Sequence, residues 1–281
     1  MAQQQETASE MSFLDHLEEL RWHLIRSTLA VVIIAVVAFL MKDFIFDTIL
    51  FGPKKADFPT YRLFCNISRT IGLDDSFCEG PQFRIQSRQM AGQFSAHIWT
   101  SIWAGFIIGF PYLLYELWKF ISPGLYENER KNARGFIFIA SFLFFTGVLF
   151  GYYVISPLSI NFLANYRVSD EVFNDIDLSS YISIVRSAVI ACGLIFELPI
   201  LIFFLTKIGL VTPEFLKKYR KFALVIVLIV AAVITPPDVA SQVVVTIPVL
   251  ILYEISIHIS RIVIKRDKEK QNNTTNVTKN D

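Results

Sequence analysis

FISPGLYENERKNARG, residues Phe120–Gly135, is a charged, turn-rich island between two apolar runs, each long enough to cross a bilayer. Phe94–Trp118 precedes it and Gly135–Leu158 follows it. Ser122-Pro123-Gly124 is a turn signal, and a short helix from Tyr126 would carry Glu127, Glu129, Arg130, Lys131 and Arg134. With Lys119 the island holds four basic residues, which marks a cytoplasmic loop under the positive-inside rule. Its acids read in two ways. They are either partners of neighbouring bases, the reading this loop favours when taken alone, or carboxylates presented to a basic ligand at the membrane surface.

Outward from this loop, composition agrees with a chain of several membrane spans. Of 281 residues, 53% are hydrophobic and 18% charged, with a mean hydropathy of +0.48. The formal charge is only +1, so partners must be read from where charge sits, and no nucleic-acid partner is implied. No Lys or Arg stands before Arg21, so the first apolar run lacks the basic n-region of a secretory signal and is expected to be retained as a span. Cys65 and Cys78 share one loop, while Cys192 sits in an apolar segment. The chain has no CxxC, HExxH, GxxxxGK[ST] or GxSxG pattern. Nothing reads as an enzyme site, a metal set or a cofactor loop.

The sequence predicts an all-α integral membrane protein with six transmembrane helices. Residues 1–23 form a cytoplasmic tail and an amphipathic opening helix, with Ser12 and Asp15 as its capping box and Phe13, Leu17, Leu20 and Leu24 along one face. The membrane domain, 24–260, has spans at 24–41, 94–118, 135–158, 181–206, 222–234 and 243–259, with a long external loop at 42–93. Residues 261–281 are expected to be a disordered cytoplasmic tail. Gly105 with Gly109, and Gly147 with Gly151, have the spacing of closely packed helices, and Pro111 is expected to kink the second span. Thr212-Pro213-Glu214 starts a helix by a Thr cap with proline at the first position. The fifth span would reach only ~20 Å against ~30 Å of hydrocarbon, and Pro248 interrupts the sixth, so both are expected to be short.

Glu197 lies deep in the fourth apolar run, within CGLIFELPIL. A carboxylate there costs at least about 2.5–3.5 kcal/mol, so it must be protonated, paired or in a wet cavity. Pro199 removes an amide hydrogen and disfavours the helix before it, which predicts a kink that gives the carboxyl somewhere to face. Arg186 is on nearly the same face but ~16 Å away along the axis, too far for a direct pair. Glu197 serves either to fix helix packing or to engage a partner, and an intramembrane acid favours the second.

Four motifs stand in order: HLEELR (His16–Arg21), FISPGLYENER (Phe120–Arg130), FELP (Phe196–Pro199) and TPPDVASQ (Thr235–Gln242). Together they resemble the TatC component of the twin-arginine protein translocase, over roughly Met11–Lys265. The resemblance implies a glove-shaped fold in the bacterial inner membrane and a receptor for the twin-arginine signal peptides of folded cargo. It also implies assembly with the single-span TatA and TatB proteins and with further copies of itself, driven by the protonmotive force. Carried over by position, Glu19 and Glu129 would be the signal-binding acids, with Arg21, Arg130 and Lys131 nearby. Glu197 would be the intramembrane acid, Pro53 the proline after the first span, and Asp238 and Gln242 part of the last external turn. Residues 54–93 are longer than the family's usual first external loop, and Arg186 replaces a residue that is often apolar. An ion-coupled transporter using Glu197 and Arg186 is the main alternative, but it would need an internal symmetry that the chain lacks. A membrane protease is disfavoured by the missing Ser and His motifs.

Arg21, Arg26, the 119–134 and 207–221 loops and the 261–270 segment are all basic and all fall on one side, which places both termini in the cytoplasm. The 42–93 loop then faces an oxidising compartment. Cys65 and Cys78 there are either two free thiols or, as the compartment favours, a disulfide closing a loop of about 14 residues, worth roughly 3 kcal/mol. In intact cells an impermeant thiol reagent should label a cysteine placed at Asp170 and miss one at Asn132; the reverse pattern would invert the topology.

Overall fold

A backbone amide in hydrocarbon has no water to bond, so apolar runs of this length close their hydrogen bonds internally. In the computed structural model of the chain, helices dominate. It describes residues 13–71, 78, 80–81, 83–121, 133–169, 171–172, 174–235 and 239–277. They form two compact units, residues 1–40 with 99–141, and residues 41–98 with 142–281.

In the first unit, α1 (Phe13–Leu40) is one continuous helix of 28 residues. The amphipathic opening and the span run on as one helix, because no Gly or Pro interrupts Phe13–Leu40. Its capping residue Ser12 lies outside the described residues. Leu24, Leu29, Ile33, Val36 and Leu40 are exposed, as lipid-facing side chains should be. The helix α3 (Gly92–Ile121) passes through Pro111 without ending. Gly105 packs on α1 so closely that a Cβ there would sit 2.6 Å from the Val31 carbonyl oxygen. Trp118 stacks on Phe136, the ring centroids 4.5 Å apart.

The second unit corrects the reading of residues 42–93 as irregular. Residues Phe44–Leu50 form a π-helical turn, Gly52–Lys54 a 3₁₀ turn, and Pro59–Ile71 the helix α2. That helix buries Tyr61 and Ser68 while exposing Arg62, Leu63 and Arg69. Cys65 on α2 forms a disulfide with Cys78. Strand β1 (Arg84–Gln86) pairs in parallel with β2 (Asp175–Asp177), Ile85 opposite Ile176. Asp177 also caps the next helix, and its hydrogen bonds from Ser179 hold its carboxyl below the usual carboxylate range. Three tyrosine hydroxyls collect the carbonyls of the segment after α1. Tyr152 donates to Ile49 O at 2.7 Å, Tyr181 to Leu50 O at 2.8 Å, and Tyr61 lies 2.8 Å from Pro53 O.

The third apolar run is longer than expected. Helix α4 (Ala133–Phe150), a π-helical turn (Gly151–Ile155) and α5 (Ser156–Asn165) continue one another. The fourth run breaks where Pro199 requires it: α6 (Leu178–Phe196) ends, Glu197 turns, and α7 (Leu198–Lys207) begins. Gly147 and Gly151 let the two runs touch backbone to backbone. A Cβ on either would lie 2.5 Å from the carbonyl oxygen of Cys192 or Ala188. Around that contact Ile155, Ala188, Cys192, Val227, Ala231, Val245 and Val249 form the buried core.

Thr212 caps α8 (Pro213–Lys218), its hydroxyl accepting from the Phe215 amide at 3.2 Å. Helix α9 (Arg220–Ile234) has 15 residues, about 22 Å and short of the hydrocarbon thickness, as the sequence suggests. The last helix does not share that shortness. Helix α10 (Val239–Val277) has 39 residues, contains Pro248 without ending there, and continues where a disordered tail was expected. After Pro248 it meets no Gly or Pro, and the stretch past Arg261 carries Lys265, Arg266, Lys268, Glu269, Lys270 and Gln271, all good helix formers. Lys265 and Glu269 pair one turn apart at 3.9 Å. Among the described residues, five helical runs are long and apolar enough to cross a membrane: Leu17–Leu40, Gly92–Ile121, Gly135–Asn165, Leu178–Lys207 and Ser241–Arg266. The chain is an all-α, multi-pass membrane protein.

Candidate functional site

The polar end of α1 meets the end of α3 in a charged cluster that apolar patterning hides. His23 is buried, and its Nδ1–H donates to Glu116 Oε2 at 2.6 Å. Glu116 is only 2% exposed. The guanidinium of Arg26 lies 4.0 Å from the same oxygen, and Tyr112, one turn before Glu116, brings its hydroxyl towards that carboxylate. Phe120 closes the cluster edge-on to the His23 ring, 6.2 Å between centroids. The His23 bond, the Tyr112 hydroxyl and an arginine thus stabilise a carboxylate that would otherwise be costly to bury.

One turn before His23 stands Glu19. Its Oε2 is buried and has no hydrogen-bond partner among the described residues. His23, one turn later, is held by Glu116 and not by Glu19. Arg21 is exposed on the same helix. Glu129, Arg130 and Lys131 lie outside the described residues, as does Asp238. Sequence reasoning missed Glu116. Its signal was an acid in an otherwise apolar helix end, three residues before Lys119, with His23 and Arg26 at helical spacing on another span.

The other predicted residues are spread over the second unit. Both carboxylate oxygens of Glu197 are buried and lack hydrogen-bond partners among the described residues. The carboxylate lies near the Phe144 backbone without hydrogen-bond geometry. The backbone carbonyl of Glu197 accepts from Ile200 and Leu201, both at 2.9 Å, so the break is satisfied along the main chain while the side chain is not. Arg186 donates to Ser183 Oγ at 3.3 Å and makes no ion pair with Glu197. Gln242 donates to the Leu228 carbonyl at 3.2 Å, joining α10 to α9. Pro53 is fully buried beneath Tyr61.

A family model described as the Sec-independent protein translocase protein (TatC) matches residues 15–248. The chain belongs to the TatC family. It is 47% identical to a TatC of Blattabacterium from Periplaneta americana over 92% of this chain and 98% of that one. It is 33% identical to TatCy of Bacillus subtilis, over 90% of each. The fold agrees with a crystal structure described as the twin-arginine translocase receptor TatC, with a TM-score of 0.67, 33% identity, and coverage of 89% of this chain and 99% of that chain. Glu19, Glu116, Glu129 and Glu197 all fall inside the TatC match. The chain is therefore a component of a Sec-independent protein translocase, and its work is transport.

The His23–Glu116 bond generates a test of its own. In Glu116→Ala the buried imidazole loses its acceptor, a cost of about 1–3 kcal/mol. Thermal unfolding in detergent should show that loss, while Glu116→Gln, which keeps an acceptor oxygen, should unfold closer to wild type. Equal Tm values for wild type and Glu116→Ala would mean that the bond contributes nothing to stability.

Proposed function

We propose that this TatC is the signal-peptide receptor and core subunit of a twin-arginine translocase, exporting folded proteins across the bacterial inner membrane on the protonmotive force. The observation that carries the reading is Glu19, a partly buried carboxylate with an oxygen unpartnered among the described residues. An acid placed so is unlike an ordinary surface ion pair, which contributes only about 0–1 kcal/mol. It suits a planar, permanently charged guanidinium, which a carboxylate can hold with two parallel hydrogen bonds. Each charge-assisted bond of this kind contributes about 1.5–3 kcal/mol. Glu129 has the matching place in LYENER and takes the second arginine. Both termini lie in the cytoplasm, and α9 makes the fifth of six crossings with help from bilayer thinning and partner helices.

The unpartnered carboxyl of Glu197 supports a second contact, with a polar side chain on a single-span TatA or TatB helix. Hydrogen bonds between membrane helices contribute about 1–2 kcal/mol at most in model peptides.

Site-specific crosslinking of a twin-arginine precursor tests the receptor assignment. Glu19→Ala and Glu129→Ala should each sharply reduce crosslinking while the protein stays in the membrane, and Glu127→Ala should have a smaller effect. Normal crosslinking in the Glu19→Ala, Glu129→Ala double variant would falsify the site. In a separate experiment, Glu197→Ala should weaken crosslinks to TatA or TatB without unfolding the protein, with Glu197→Gln milder. If both variants crosslink as wild type does, Glu197 is a packing residue only.

A further inference from the structure

On the side where α1 ends and α3 begins, a cleft of about 850 Å³ opens between residues 42–55, β1 and the first turns of α3. The volume falls within the roughly 300–1,000 Å³ range of small-ligand sites. The apolar stretch of α1 stops at Leu40 and that of α3 starts at Gly92, so the cleft lies at the edge of the hydrocarbon. Its lining carries both signs of charge. Lys42, Lys54 and Lys55 bring three ammonium groups, and Asp43 and Asp47 bring two carboxylates. Among the described residues none of the five is in an ion pair, although they share one cleft. Lys55 spends one proton on the Asp47 carbonyl at 3.1 Å, and Lys54 Nζ lies 5.5 Å from the Phe83 ring centroid. An ammonium has three protons to donate, so both keep donors for a ligand.

The charge pattern selects the class of ligand. A purely anionic group would meet the two carboxylates, and a purely cationic one the three ammonium groups. A zwitterion answers both. Phe94, 64% exposed at the mouth, offers an apolar surface on the hydrocarbon side. We propose that this cleft binds the headgroup of a zwitterionic aminophospholipid. The phosphate sits on Lys42, Lys54 and Lys55, the primary ammonium on Asp43 and Asp47, and the acyl chains run past Phe94 into the bilayer. The site is separate from the Glu19 cluster, so it stands or falls without the receptor reading.

Native mass spectrometry of the full chain in detergent, titrated with phosphatidylethanolamine or phosphatidylglycerol of the same acyl chains, tests the proposal. Wild type should bind phosphatidylethanolamine about fivefold more tightly, the worth of two partly exposed charge contacts. The Lys42→Gln, Lys54→Gln, Lys55→Gln variant should lose affinity for both lipids. Asp43→Asn, Asp47→Asn should lose only the preference. Unchanged thermal unfolding and an intact Cys65–Cys78 bridge confirm that each variant is folded. Equal binding of the two lipids by wild type, or a preference surviving in the aspartate variant, would overturn the site. Displacement of the lipid by equimolar soluble glycerophosphoethanolamine would also overturn the lipid assignment, because the headgroup alone would then suffice.

Discussion

Hydrocarbon offers a backbone carbonyl no water, so every departure from regular helix within or beside a span must find its partners inside the protein. Three such departures among the described residues are each resolved by different chemistry. After α1 the chain turns through residues 44–54, and the carbonyls of Ile49, Leu50 and Pro53 are received by Tyr152, Tyr181 and Tyr61. Tyrosine suits this work because its ring fills apolar space while its hydroxyl reaches one polar atom. In the third run, the Gly151 carbonyl accepts the Ser156 amide across the π-helical turn and the Ser156 hydroxyl as well, at 2.8 Å. At Glu197 the main chain satisfies itself and leaves the carboxyl as the unsettled group.

Glu19 and Glu197, each with a buried carboxyl oxygen unpartnered among the described residues, therefore differ in kind. Glu19 stands one turn from a cluster in which every other polar group is engaged, so its isolation reflects the choice of Glu116 by His23. Glu197 stands where Pro199 forces a break in an apolar span, and neither of its carboxyl oxygens meets a hydrogen-bond partner among the described residues. One arrangement leaves an acid free beside a basic, bonded neighbourhood. The other leaves an acid at a break inside an apolar span.

What could be read in advance was what is encoded locally. The spans, the close contacts at Gly105, Gly147 and Gly151, the break before Pro199 and the Thr212 cap all depend on residues within a few positions of one another. Helix α2 was not legible, because its buried face combines Tyr61 with Thr60 and Ser68 and carries no apolar run. The length of α10 was misjudged because Pro248 was weighed as a terminator, whereas a proline inside a membrane helix is tolerated. The His23–Glu116 bond joins residues 93 positions apart, and no periodicity can announce a pair of that separation. The cleft beside Lys42 needs three such distant segments at once.

The backbone contact at Gly147 and Gly151 has a consequence for how natural variation in this chain should be read. On α4, Phe138, Ile139, Phe142 and Leu149 point outward, where any apolar side chain meets the same fluid neighbours. A few ångströms around the same cylinder, Gly147 admits not even a methyl group. Tolerance to change is thus set by azimuth, and depth in the bilayer predicts little. Two substitutions at the same level of the membrane can be silent or ruinous according to which way the residue looks, so a score based on hydropathy alone would rank them alike.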